Sequence, residues 1–188
     1  MIKKTNGFLE EYVKKSKSSE ILICQSLSIE LNKLMSDMNS EEYIYDTTDA
    51  DKRINFIENC VRLTKSPFYG QPMKLFLFQK AFLSALYGFK MKDGSDRFQR
   101  ALFVISRKNG KSQLCSALGL TELVIGGNGM DIVCSSNDDM QADILYQATD
   151  EMREMIDPES VDTWRNQKGI KCFLNNNKIF KWYIFGCL

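Results

Sequence analysis

Apolar positions in the first third of the chain recur at helical spacing. Phe8 to Lys17 is a short basic amphipathic stretch, and Ser18-Ser19-Glu20 supplies a cap for a longer helix running through Leu34 to Met38. Asp49 to Leu63 is a third helix, with Ile54, Phe56, Ile57, Cys60 and Val61 as its stripe and its charges on a solvated face. Ser66-Pro67-Phe68-Tyr69-Gly70-Gln71-Pro72 reads as a loop and as the boundary between residues 1–70, a helical region, and 71–188. Leu75 to Phe89 is a strongly apolar helix ending near Gly88, and Lys92-Asp93-Gly94-Ser95-Asp96 is a turn. The period then shortens. Ala101–Ile105 has the β-branched and aromatic content of a buried strand, and Leu114, Cys115, Ala117, Leu118, Leu120 and Leu123 form the face of a helix to Ile125. Gly126-Gly127-Asn128-Gly129 breaks that helix. Asp131 to Ser136 is a short buried strand, Asp138 to Ile156 a helix, and Ile170 to Leu174 a further strand, before an apolar ending from Ile179 to Leu188. Strand–helix alternation of this kind predicts an α/β fold: part of a parallel sheet of the P-loop NTPase type, preceded by an N-terminal helical extension.

The junction of the first strand and its helix carries the chemistry. Ser106-Arg107-Lys108-Asn109-Gly110-Lys111-Ser112 ends in the second half of the phosphate-loop pattern G-x-x-x-x-G-K-[ST], with Ile105 where its first glycine would stand. Gly110 lets backbone approach phosphate oxygens without a Cβ in the way. The first N–H groups of the helix point at an anion, and the helix dipole adds a favourable field. Lys111 brings a cation to the β- and γ-phosphates, and the Ser112 hydroxyl suits Mg²⁺. Taken alone, Gly-Lys-Ser also fits a basic strand–helix corner that binds nothing.

Composition narrows the chemistry. The 188 residues are 44% hydrophobic, enough for a real core, and the net charge of +1 gives no global pull toward nucleic acid or membrane. Contact with DNA then requires a local patch, for which Lys14, Lys15, Lys17, Arg97, Arg100, Arg107 and Lys108 are candidates against a background of scattered solvated charges. No apolar run approaches the roughly 20 residues that span a bilayer, and the polar N-terminus has no signal-peptide core, so a cytoplasmic protein is expected. The six cysteines form no C-x-x-C pair, which favours buried thiols over zinc or disulfides. The chain has no histidine, which excludes histidine triads, histidine bases and histidine-ligated zinc. A mechanism resting on Lys, Ser, Arg and Mg²⁺ survives.

The order of elements resembles the large subunit of tailed-phage terminases, the ATP-driven motors that package DNA into procapsids. The likeness lies in Leu75–Gly88 with Gln79, in Ser106 to Ser112, and in Ile132-Val133-Cys134-Ser135-Ser136 followed by Gln141-Ala142. It covers roughly residues 50–180. That family carries a deviant Walker A loop of the form S-R-K-N-G-K-S, so the missing first glycine becomes a point of agreement. The resemblance implies an ATP- and Mg²⁺-dependent hydrolase. Ser106 to Ser112 would be its nucleotide contacts, with Lys111 and Ser112 on phosphate and metal and Arg107 sensing or stabilising the γ-phosphate. Gln79, by itself a polar residue at a helix edge, would read the adenine. Implied partners are double-stranded phage DNA, a small terminase subunit and the portal, in the cytoplasm of a bacterial host.

The same resemblance sets expectations about missing parts. The family follows this region with an apolar strand ending in Asp-Glu, the Walker B pair, and then a nuclease domain. Asp138-Asp139 and Asp150-Glu151 do not fit the Walker B pattern, so a truncated or frame-shifted prophage reading frame is expected, with impaired hydrolysis. A half-sheet of this kind should expose a strand edge and an apolar face. The alternative is a non-enzymatic module whose N-terminal helices bind a packaging partner.

Overall fold

The computed structural model describes residues 7–127, 131–134, 139–160, 163–166, 169–172 and 178–182. The expectations for Asn128, Gly129, Ser135, Ser136, Asp138, Leu174 and residues 183–188 lie outside the described residues. The elements are α1 (Phe8–Lys17), α2 (Gln25–Asp37), β1 (Tyr43–Tyr45), α3 (Thr48–Cys60), α4 (Leu77–Gly88), β2 (Phe89–Met91), α5 (Lys111–Ile125), β3 (Asp131–Cys134), α6 (Asp139–Ile156), β4 (Thr163–Asn166), β5 (Gly169–Cys172) and β6 (Lys178–Trp182). They fall into two compact units that interleave in sequence: residues 7–55 with 75–103, and 56–74 with the described residues from 104 on. The sequence suggests a single boundary within Ser66–Pro72. The packing of α1 on α4 instead joins residues 75–103 to the N-terminal region.

In the first unit Leu9, Tyr12 and Val13 form the buried stripe of α1 and share a core with Leu31, Ala81 and Phe89. The helix α2 starts at Gln25, later than expected: Ser19 takes a left-handed φ of 61° rather than the extended conformation of an N-cap, which Cys24 adopts instead. A short strand pair, distant in sequence and not announced by it, closes this core: β1 runs antiparallel to β2 with Tyr45 opposite Phe89. The two rings lie 4.8 Å apart. Gly88 is required beneath them, since a Cβ there would sit 2.9 Å from Tyr45 Cε2.

In the second unit α5 and α6 pack on each other and on the sheet. Leu114, Ala117, Leu120 and Leu123 are buried along α5, and Met152 along α6; each large apolar side chain so buried contributes about 1.5–3 kcal/mol. Small residues let the helices approach, and Ser116 Oγ donates to the Leu145 carbonyl across the contact at 3.1 Å. The sheet order is β3-β6-β5-β4. Only β3 and β6 are parallel; β6–β5 and β5–β4 are antiparallel, so the sheet is mixed rather than the parallel one expected.

Two strand expectations need correction. Ala101–Ile105 has the composition of a strand but no ladder partner among the described residues, and Leu102 and Val104 are 87% and 79% exposed. A strand exists only where a neighbour satisfies its N–H and C=O groups, and the described sheet closes without this segment. The strand β3 forms where expected, but Asp131 and Val133 are exposed rather than buried.

Candidate functional site

The loop from Ser106 to Ser112 lies wholly in the second unit. Its shape follows from backbone the sequence permits at few positions. Gly110 takes φ 75° as the residue before α5, a left-handed conformation that glycine adopts without steric cost. Lys108 also takes a positive φ, 66°, which costs an L-residue about 1–2 kcal/mol. Asn109 compensates by bracing the turn: its Nδ2 donates to the Ser106 Oγ and carbonyl and to the Arg107 carbonyl. The Asn109 side chain is thereby committed to holding the loop.

The helix begins with Leu114 N–H donating to the Gly110 carbonyl at 2.9 Å. Gly110, Lys111, Ser112 and Gln113 precede any intrahelical acceptor, and no side chain caps them. These residues line a groove of about 780 Å³, together with Ser106, Arg107 and Lys108 and, from a separate segment, Lys65 and Ser66. Among the described residues four cations therefore border the groove, and no carboxylate does. None of Arg107, Lys108 and Lys111 has an ion-pair partner among the described residues. Uncapped backbone donors, a helix dipole and unpaired cations make the groove a place for a multiply charged anion.

The separate segment is a tight return of the chain. Leu63 N–H donates to the Gln71 carbonyl at 2.9 Å, Gly70 N–H to Leu63 at 2.8 Å, and Met73 N–H to Val61 at 3.0 Å. Gln113 Nε2 donates to Thr64 Oγ1 at 2.8 Å, tying this segment to the first turn of α5. Sequence reasoning missed Lys65, Ser66 and Gln113. Lys65 sits in a Pro- and Gly-containing loop far from the motif, and its local context is that of a solvated residue.

Charge and burial refine the picture around the helix start. The thiol of Cys115, one turn after Lys111, is pushed up by partial burial and pulled back by the Lys111 charge. No group of three His, Cys, Asp or Glu side chains suited to a metal occurs among the described residues. The side-chain hydroxyls that the described residues bring to the groove are those of Ser66, Ser106 and Ser112. Asp150 is held by Arg153 at 2.8 Å and is buried, which keeps it in a structural pairing.

Gln79 lies in the first unit, in the opening turn of α4. It is 2% exposed, and its Oε1 accepts from Phe76 N–H at 2.9 Å, closing the helix N-terminus. Two of the basic residues considered for DNA are engaged within the first unit. Lys15 is paired with Glu11 and Glu20, and Arg97 bonds Asp37 at 2.6 Å while stacking on Tyr43. No described helix is long and apolar enough to cross a membrane.

The chain is similar to known proteins. The profile of the family described as "Terminase large subunit, ATPase domain" matches residues 77–182, which contain Gln79 and the whole Ser106–Ser112 loop. The terminase large subunit of Enterobacteria phage HK97 is 36% identical over 77 residues, 41% of this chain and 14% of that protein. The crystal structure of the HK97 bacteriophage large terminase aligns with a TM-score of 0.58 at 29% identity, over 70% of this chain and 26% of that one. The chain thus spans a minor part of the length of both relatives.

Proposed function

The chain belongs to the family of terminase large subunit ATPase domains, and from that membership we propose that the groove at the start of α5 binds the triphosphate of ATP. The observation that carries this is the set of cations and uncapped N–H groups around one groove, with no ion-pair partner and no bordering carboxylate among the described residues. Lys111 binds phosphate as a mobile point charge, and Gly110 admits the phosphate to the backbone. Arg107 offers a fork of donors to the terminal phosphate, where a positioned arginine can be worth about 10³–10⁵ in rate. Ser106 and Lys108 complete the rim, and Asn109 keeps the loop in its binding shape. Mg²⁺ would be held by Ser112, its charge offsetting that of the phosphates. Assignment of Gln79 to the adenine rests on the family resemblance. Turnover is expected to be slow, because no carboxylate able to orient water borders the groove among the described residues. As a piece of a packaging motor, the chain would work on double-stranded phage DNA beside a small terminase subunit and a portal, in the host cytoplasm.

Calorimetric titration with MgATP tests this reading. Wild-type protein should bind, and Lys111→Ala should lose about tenfold or more in affinity with an unchanged melting temperature, a single charge near phosphate being worth that much. Equal binding by the variant would remove the phosphate-site assignment.

A second reading has its own support. The helix α2 buries only Leu31 among its described residues, while Leu27 and Ile29 are 39% and 59% exposed and the preceding Leu22 is 89% exposed. Such apolar side chains suit docking of a packaging partner on the N-terminal helices, without enzymatic activity. Partner capture that survives loss of nucleotide binding, and is lost with Ile29→Glu, would favour it.

A further inference from the structure

We propose that Lys65 is an additional phosphate-binding residue of this groove, and that the Gln113–Thr64 hydrogen bond is the strut that positions it. The proposal rests on the nucleotide reading above and adds a residue outside the Ser106–Ser112 loop. Three observations lead to it. Lys65 and Ser66 line the same groove as Arg107, Lys108 and Lys111, yet come from a separate segment of the chain. That segment is stiff: paired backbone bonds between Leu63 and Gln71, Gly70 and Leu63, and Met73 and Val61 hold its base. Its link to the phosphate loop is specific, because the buried Thr64 hydroxyl accepts from Gln113 Nε2 at 2.8 Å.

Holding four like charges around one groove is unfavourable without an anion, since the cations repel one another. A polyphosphate relieves that repulsion and is enclosed from two segments at once. Lys65, as a flexible stem ending in three donors, suits an anion whose oxygens face several directions. Ser66 adds a hydroxyl on the same wall. The Thr64–Gln113 bond ties the start of α5 to the Lys65 segment, so the two sets of donors stay in register.

The experiment uses the full chain with two probes, MgATP and inorganic tripolyphosphate, and adenosine as the phosphate-free control. Lys65→Ala should weaken both phosphate probes by about 5- to 10-fold, the scale of one exposed charge at contact distance, and should flatten the dependence of affinity on salt. Adenosine binding and the melting temperature should not change, and Lys65→Arg should restore phosphate affinity. Gln113→Ala, which removes the strut and leaves every cation in place, should weaken both phosphate probes by a smaller factor. Wild-type affinity in Lys65→Ala together with loss in Lys111→Ala would overturn the role of Lys65 and leave the nucleotide site standing. Wild-type affinity in both variants would overturn the site itself. Loss of adenosine and phosphate binding alike, with a lowered melting temperature, would make Lys65 structural and also overturn the proposal.

Discussion

Two arginines of the second unit stand in opposite circumstances. Arg153, on α6, is 3% exposed. Its guanidinium is spent on Asp150 at 2.8 Å, on Ser160 and Thr163 at 3.2 Å each, and on Glu154 at 3.3 Å. Asp157 completes the cluster by accepting from the Thr163 N–H and hydroxyl at 2.8 and 2.6 Å, which fastens the end of α6 to β4. Arg107 is exposed and has no such partner among the described residues. The contrast separates a charge that holds the fold from a charge that no described side chain engages. A buried guanidinium is tolerable only when its donors are satisfied within the protein. An exposed one stays solvated at little cost, and it is free to exchange water for phosphate.

The largest effect expected from this contrast is on stability. Arg153→Met should lower the unfolding free energy by about 3–5 kcal/mol, because Asp150 loses its guanidinium inside the protein. Urea denaturation measures it, and a change under about 1 kcal/mol would make the buried cluster dispensable. Arg107→Ala should leave the urea midpoint where it is and weaken MgATP binding several-fold. If instead it destabilises the protein like Arg153→Met, the distinction between the two arginines fails.

A smaller effect is expected at Gln79. Removing its side-chain oxygen in Gln79→Ala takes a partner from Phe76 N–H and should cost about 1 kcal/mol in helix capping. If Gln79 also reads adenine, the variant should lose part of its preference for ATP over GTP. An unchanged preference would leave Gln79 a structural residue alone.

The smallest effect is a rate. Cys24, Cys60 and Cys115 are all exposed rather than buried as the sequence suggests. Partial desolvation of the Cys115 thiol still raises it above its ordinary range, so alkylation should be slower at Cys115 than at Cys24 near pH 8. Lys111 pulls in the other direction, so Lys111→Ala should slow Cys115 further. Peptide mapping after iodoacetamide labelling reads both, and faster labelling in the variant would contradict the proximity of that charge.

How much of this was legible beforehand depended on the range of the interactions involved. The helix α1 was readable to its ends because Leu9, Tyr12 and Val13 encode one face within a single short window. The turn before α5 was readable for the same reason: Gly110, at φ 75°, acts through its own backbone. The pair β1–β2 was not, since each strand has three residues and gains its stability from Tyr45 meeting Phe89 across the chain. Ala101–Ile105 failed in the other direction, because local composition cannot supply a pairing neighbour. Lys65 was invisible for want of any motif, and only folding carries it to the loop.

The most direct test is urea unfolding with and without saturating MgATP, run on the wild type, Lys111→Ala and Arg153→Met. Ligand at a hundredfold excess over its dissociation constant should add about 2.7 kcal/mol to the wild type. The account predicts that Lys111→Ala keeps the ligand-free midpoint and, at the same ligand concentration, retains about half of the increment or less. Arg153→Met should lose stability without ligand and keep the increment wherever it remains folded. An increment of wild-type size in Lys111→Ala would contradict the assignment of this groove to nucleotide.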